Sequence, residues 1–109
     1  MSVIETLLKS GAVAIVRTAD QASCQEAADA IVGAGLTSIE ITLTTPGAFD
    51  VIASLAARPN VCVGVGTVLT TSDVANAAKA GATFVVSPNR KLETKLIFSP
   101  LKITASAIP

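Results

Sequence analysis

The chain reads as an α/β protein built on a parallel sheet covered by helices. Three observations carry that reading. Short, nearly continuous apolar runs recur along the sequence. Amphipathic helical stretches separate them. The joints between helix and strand also resemble each other, Ala34-Gly35-Leu36-Thr37 and Ala80-Gly81-Ala82-Thr83. Strands that are apolar throughout, rather than alternating, are buried on both faces, and regular β-α-β-α order supplies the helices that bury them.

Ala12-Val13-Ala14-Ile15-Val16 is the first strand. Gln21 to Val32 follows as a helix, with Cys24, Ala27, Ala28 and Ile31 at the spacing i, i+3, i+4, i+7. Ser38 to Thr42 is the second strand. Pro46 to Ala57 is the second helix, with Thr45 as its N-cap, Pro46 at its first position, and Phe49, Ile52, Ala53 and Ala56 on one face. Val61 to Val65 is the third strand. A third helix over about Ser72 to Lys79 turns Val74, Ala77 and Ala78 inward, and Thr83 to Val86 is the fourth strand. A leading helix, Ser2 to Lys9, opens with the capping box Ser2-x-x-Glu5 and ends at Gly11. Glycine after the first and third of these helices, Gly35 and Gly81, is the expected C-terminal stop.

Two architectures share this alternation: a closed barrel of eight βα units and an open doubly wound sheet. A full barrel needs roughly 200 residues or more. The 109 residues supply four units, so the barrel reading is a truncated half barrel of four parallel βα units. Successive strands are then neighbours, and the fourth strand keeps an open edge unless the residues after Asn89 cover it. Such an edge predicts self-association.

Composition removes several function classes. Eight basic and eight acidic residues cancel, which argues against an electrostatic grip on nucleic acid or an anionic membrane. No apolar run is long enough to span a bilayer. The N-terminus lacks the basic segment of a signal peptide. Cys24 and Cys62 fit no metal spacing and read as buried thiols of a cytoplasmic protein. No histidine is present, so Ser-His-Asp and Cys-His nucleophilic sites are excluded and carboxylate or lysine chemistry remains.

Both architectures place chemistry at the carboxyl ends of the strands. Arg17 follows the first strand. Glu40, Thr42 and Thr44 share one face of the second strand and its exit, since alternate residues point the same way. Gly64-Val65-Gly66-Thr67 ends the third strand, and Ser87-Pro88-Asn89 the fourth. Glu40 is the residue most in need of a reason, because a lone charge in an apolar strand is costly to bury. One reason is catalysis. The other is a structural ion pair with Arg17. Gly64-x-Gly66 by itself is a tight turn, and without a third glycine or a following acidic residue it is not a dinucleotide fingerprint. Thr67 on its own is consistent with a turn or cap, and Pro88 with the end of a strand.

The ordered motifs Glu40-Ile41-Thr42-Leu43-x-Thr45-Pro46, Gly64-Val65-Gly66-Thr67-Val68 and Val86-Ser87-Pro88-Asn89 resemble the 2-keto-3-deoxy-6-phosphogluconate (KDPG) aldolase family over residues 1 to about 90. The resemblance implies a (β/α)8 barrel. It also implies cleavage of a phosphorylated 2-keto-3-deoxy sugar acid to pyruvate and glyceraldehyde 3-phosphate, through a Schiff base on lysine. No metal or organic cofactor is implied. Glu40 matches the family's proton-transfer glutamate, Thr67 the threonine that holds the pyruvate carboxylate, and Pro88 a proline lining the pocket. Thr44 stands where many phosphogluconate-type members have an arginine, and Arg17 is placed to supply that cation. The Ile15-Val16-Arg17 ending resembles the phosphogalactonate branch, so both sugar epimers stay open. The family's lysine lies in a Lys-x-Phe-Pro-like segment on its sixth strand, which has no counterpart among these 109 residues. Residues 91–109 read as a tail unlike the family. The expectation is therefore an aldolase fragment, inactive alone and homo-oligomeric. The alternative is a non-catalytic fragment that self-associates or pairs with a partner.

Overall fold

The computed structural model describes residue 9, residues 11–68 and 70–87, and the strands at 95–98, 101–104 and 106–107. Strand β1 spans Ala14–Val16, β2 Ser38–Thr42, β3 Cys62–Gly66 and β4 Phe84–Ser87. They lie side by side in sequence order, all parallel. Helices α1 (Gln21–Gly33), α2 (Ala48–Ala56) and α3 (Thr71–Ala80) connect them. Each helix packs on the next, α1 on α2 and α2 on α3. Sequential order with right-handed crossovers puts all three on one side of the sheet. A doubly wound sheet would reverse its strand order, and this one does not. The chain is a partial barrel of four parallel βα units.

Register sorts the sheet residues into two faces. Val16, Ile41, Val65 and Val85 form one row, each at most 4% exposed. Ile15, Glu40, Gly64 and Phe84 form the adjacent row on the opposite face. Ile15 is 59% exposed there, so this is the face that the helices do not cover. Ile39, Ile41, Ile52 and Leu55 are fully buried. Each such side chain contributes about 1.5–3 kcal/mol relative to an exposed one.

Local sequence accounts for the helix ends. Asp20 caps α1 by accepting from the Ser23 N–H at 2.7 Å. Those hydrogen bonds from Ser23 hold its carboxyl below the usual range. Thr70 and Asp73 form a reciprocal capping box at α3. Gly35 and Gly81 follow α1 and α3 with positive φ, as C-terminal stops require. Helix α2 departs from expectation. Thr45 is not its N-cap and Pro46 is not its first residue. The chain turns first, with the Thr45 N–H donating to the Thr42 carbonyl, and α2 starts at Ala48 with Gly47 as N-cap at φ 70°. The inward face of α2 also differs. Ala48, Val51, Ile52 and Leu55 are buried, Phe49 and Ala56 pack at the margin, and Ala53 is exposed.

An antiparallel pair, β5 (Lys95–Phe98) with β6 (Leu101–Thr104), lies outside the parallel sheet. Strand β7 (Ser106–Ala107) returns to pair parallel with β4, so the fourth strand's edge is occupied there. Of the expected leading helix, only Lys9 falls within the described residues, and it is helical and exposed.

Candidate functional site

The carboxyl ends of β1, β2 and β3 converge on one carboxylate. Glu40 sits on β2 and is 5% exposed. Its neighbours in register are Ile15 on β1 and Gly64 on β3. One position further along β3, Gly66 leaves the space that the carboxylate occupies. A methyl group there would fall inside the van der Waals shell of Glu40 Oε1 and lie 2.8 Å from its carboxyl carbon. Gly64 likewise makes room for the ring of Phe84. The two glycines of β3 thus admit one carboxylate and one aromatic ring to a crowded face.

Arg17 is the charged group that acts on Glu40. Burial pushes the Glu40 carboxyl above its ordinary value, and the positive charge of Arg17 pulls it partly back. The two form no direct ion pair. Among the described residues, the ion pair is Arg58 with Asp29, 2.7 Å apart, between α1 and the residues after α2. Arg17 instead donates from Nη2 to Thr67 Oγ1 at 3.3 Å. Thr67 holds φ at 60°, an unusual conformation for a β-branched residue. Its hydroxyl is presented to the guanidinium from that position.

A second hydroxyl cluster lies at the exit of β2. Thr42 Oγ1 is 3.1 Å from Thr44 Oγ1 and 3.3 Å from Thr45 Oγ1. Thr42 and Thr45 are each 2% exposed, and Thr44 is exposed. Thr45 Oγ1 also accepts from the Thr18 N–H at 3.3 Å. The structure therefore groups Arg17, Glu40 and Thr67, and holds Thr44 on the Thr42 hydroxyl at the exit of β2. Pro88 lies outside the described residues, as does Lys91. Lys9 and Lys79 are exposed.

For two contributors the sequence indicates no such role: Gly66 reads as part of a tight Gly-x-Gly turn and of a family motif, and Thr45 as a helix cap within another. A cavity of about 480 Å³ opens against the β2–α2 connection, lined by Thr45, Pro46, Phe49 and Asp73 among others, and Glu40 does not line it. Among the described residues, no three His, Cys, Asp or Glu side chains gather as a metal site. Cys24 and Cys62 are both buried and unpaired. No described helix is long and apolar enough to cross a membrane.

Four parallel βα units with a carboxylate at a strand end define a protein of the βα-barrel class. The family profile described as "Aldolase: KDPG and KHG aldolase" matches residues 3–109, and the chain belongs to that family. A 2-dehydro-3-deoxy-phosphogluconate aldolase of Pseudomonas aeruginosa is 42% identical over 87 residues, 78% of this chain and 40% of that protein. A probable 2-dehydro-3-deoxy-6-phosphogalactonate aldolase of Rhizobium meliloti is 37% identical over 79 residues, 71% of this chain and 37% of that protein. A crystal structure of 2-keto-3-deoxy-6-phosphogluconate aldolase from Zymomonas mobilis superposes with a TM-score of 0.72 at 28% identity, covering 94% of this chain and 51% of that one. A second Zymomonas mobilis structure, solved with 3-phosphoglycerate, gives a TM-score of 0.70 at 32% identity over 80% of this chain and 42% of that one. The chain spans about half or less of the length of these relatives.

Proposed function

We propose that this chain carries the proton-transfer and carboxylate-binding side of a Schiff-base aldolase site. The substrate class is a phosphorylated 2-keto-3-deoxy sugar acid, cleaved to pyruvate and glyceraldehyde 3-phosphate. The observation that carries the proposal is the buried Glu40 beside the Arg17–Thr67 pair at the strand ends. A carboxyl raised by burial moves toward the pH at which a group both takes and gives protons efficiently. Glu40 then shuttles protons while the iminium forms and the carbon–carbon bond breaks. Arg17, Thr67 and Thr44 present one cation and two hydroxyls to the substrate carboxylate. Thr44 in place of an arginine shifts that task to Arg17, and both sugar epimers remain within the proposal.

The reaction also needs a neutral lysine that attacks the keto carbon. Lys79 and Lys9 are exposed and solvated, the wrong setting for an amine nucleophile. Lys91, Lys95 and Lys102 fall in the segment that reads as unlike the family, so the 109 residues alone are expected to trap no pyruvate. Borohydride reduction with pyruvate followed by mass analysis tests this. No adduct is expected, and a stable pyruvate adduct on any lysine would overturn the absence of a nucleophile. Loss of pyruvate binding on Arg17→Gln, followed by titration, tests the carboxylate site separately.

A second reading is favoured by one observation. Strand β1 pairs with β2 alone among the described residues, and its own residue Ile15 is 59% exposed. An open parallel edge with an exposed apolar side chain invites association, so a homo-oligomer is proposed for the isolated chain. The buried free thiols fit a cytoplasmic setting, which belongs to the same proposal.

A further inference from the structure

The pairing of β1 with β2 ends at Val16 opposite Ile41. Arg17 is the next residue, and its position depends on what holds the backbone beyond the ladder. Beyond Ile41 the β2 backbone N–H groups find other partners. Its Leu43 N–H donates to the Gly66 carbonyl, and its Thr45 N–H returns to the Thr42 carbonyl. The partner that the Thr18 N–H finds is a side chain, Thr45 Oγ1 at 3.3 Å. That hydroxyl prolongs the β1–β2 ladder by one rung where the backbone no longer does.

Its own orientation is constrained. A threonine hydroxyl has one donor and two acceptor sites. Thr45 Oγ1 accepts from Thr18 and sits 3.3 Å from Thr42 Oγ1, which also meets Thr44 Oγ1. Thr42 and Thr45 are each 2% exposed, so water does not compete for these contacts. The side chain beyond the ladder is clamped at both ends: its backbone neighbour by Thr45, its guanidinium by Thr67.

We propose that Thr45 is a positioning residue: its buried hydroxyl fixes the backbone at Thr18 and so holds Arg17 beside Glu40. This rests on the site described above, but not on turnover, because the quantity it controls is the electrostatic environment of Glu40. The groups around Glu40 make that quantity readable. Ile15 faces it from β1, Gly64 and Gly66 from β3, and Phe84 lies beyond Gly64 on β4. None of these is charged. Arg17 is the charge that lowers the Glu40 midpoint against burial.

The test is the side-chain carboxyl titration of Glu40 followed by carbon NMR in the full chain. Thr45→Val removes the hydroxyl at nearly constant volume and is expected to raise the midpoint by about half to one pH unit, at or below the least that one neighbouring charge does, because Thr67 still holds the guanidinium. Thr45→Ala must reproduce that rise, and Thr45→Ser must restore the parent value. Arg17→Gln raises the midpoint alone, and adding Thr45→Val to it must change nothing further. An equal rise from Thr45→Val in the Arg17→Gln background would overturn the proposal, since Thr45 would then act on Glu40 without Arg17. No rise in either hydroxyl-free variant would overturn it as well. Failure of the aldolase reading would leave these titrations unaffected.

Discussion

Gly66→Ala tests how the site accommodates its carboxylate. The added methyl group enters the shell of Glu40 Oε1, with the carboxyl carbon at 2.8 Å and Cγ at 3.1 Å. Glu40 must leave its rotamer or the β2–β3 ladder must shift. Leaving a rotamer costs about 0.5–1.5 kcal/mol, and overpacking that moves backbone costs about 1–3 kcal/mol. An opposing term comes from the unfolded chain, where replacing glycine by alanine gains about 0.4–1 kcal/mol at a compatible backbone position. Gly66 has no positive φ, so the backbone itself accepts alanine. The net expectation is a loss of about 1–2 kcal/mol in urea unfolding. In a Glu40→Ala background the obstructing side chain is gone, and the same substitution should be neutral or slightly stabilising. The Glu40 midpoint should also fall toward its ordinary value in Gly66→Ala, because a displaced carboxyl regains water. An equal loss in both backgrounds would refute the reasoning, and the cost would then belong to the ladder rather than to Glu40.

Other substitutions probe separate parts of the chain. The folded Glu40 carboxyl lies above its ordinary 4.5, so the folded state binds more protons than the unfolded state between those two values. Stability should therefore fall as pH rises through that window, and Glu40→Gln should flatten the slope and exceed the parent at pH 7 in urea midpoints. Thr70→Ala breaks the capping box of α3 and should cost about 1 kcal/mol, or roughly 4 °C in Tm by calorimetry. Ile15→Lys places a charge on the open edge strand β1 itself. Sedimentation at micromolar concentration should show it shifting the isolated chain toward monomer, and an unchanged distribution would remove that edge from the contact.

Much of the fold was legible because strand identity depends on short local patterns. Ser38–Thr42 matched to the residue, and α1 to within one residue. The β2–α2 connection was misread for a physical reason. Thr45 followed by Pro46 is a good helix start in isolation, but the Thr45 hydroxyl is taken by Thr18 beyond β1 and by Thr42 at the end of its own strand, and the helix waits for Gly47. The face of α2 was ambiguous in sequence, since Phe49, Val51, Ile52 and Leu55 surround much of its circumference. Tertiary packing chose Val51 and Leu55 over Ala53. At the site, Glu40, Arg17 and Thr67 were legible as strand-end residues. The role of Gly66 was not, because the space a missing side chain leaves becomes visible only when its neighbour is placed.

The even spacing of the sheet has a consequence for how the chain folds. Ala14 pairs with Ile39, Ile39 with Val63, Gly64 with Phe84 and Val86 with Ser106, so every parallel pairing closes a loop of about 20 to 25 residues. Loop-closure entropy varies only logarithmically with length, so the four closures carry nearly equal penalties. No strand has to wait for a distant partner to be synthesised. Each βα unit can dock on the preceding one as the nascent chain lengthens, and the growing sheet advances at a steady pace from β1 to β4.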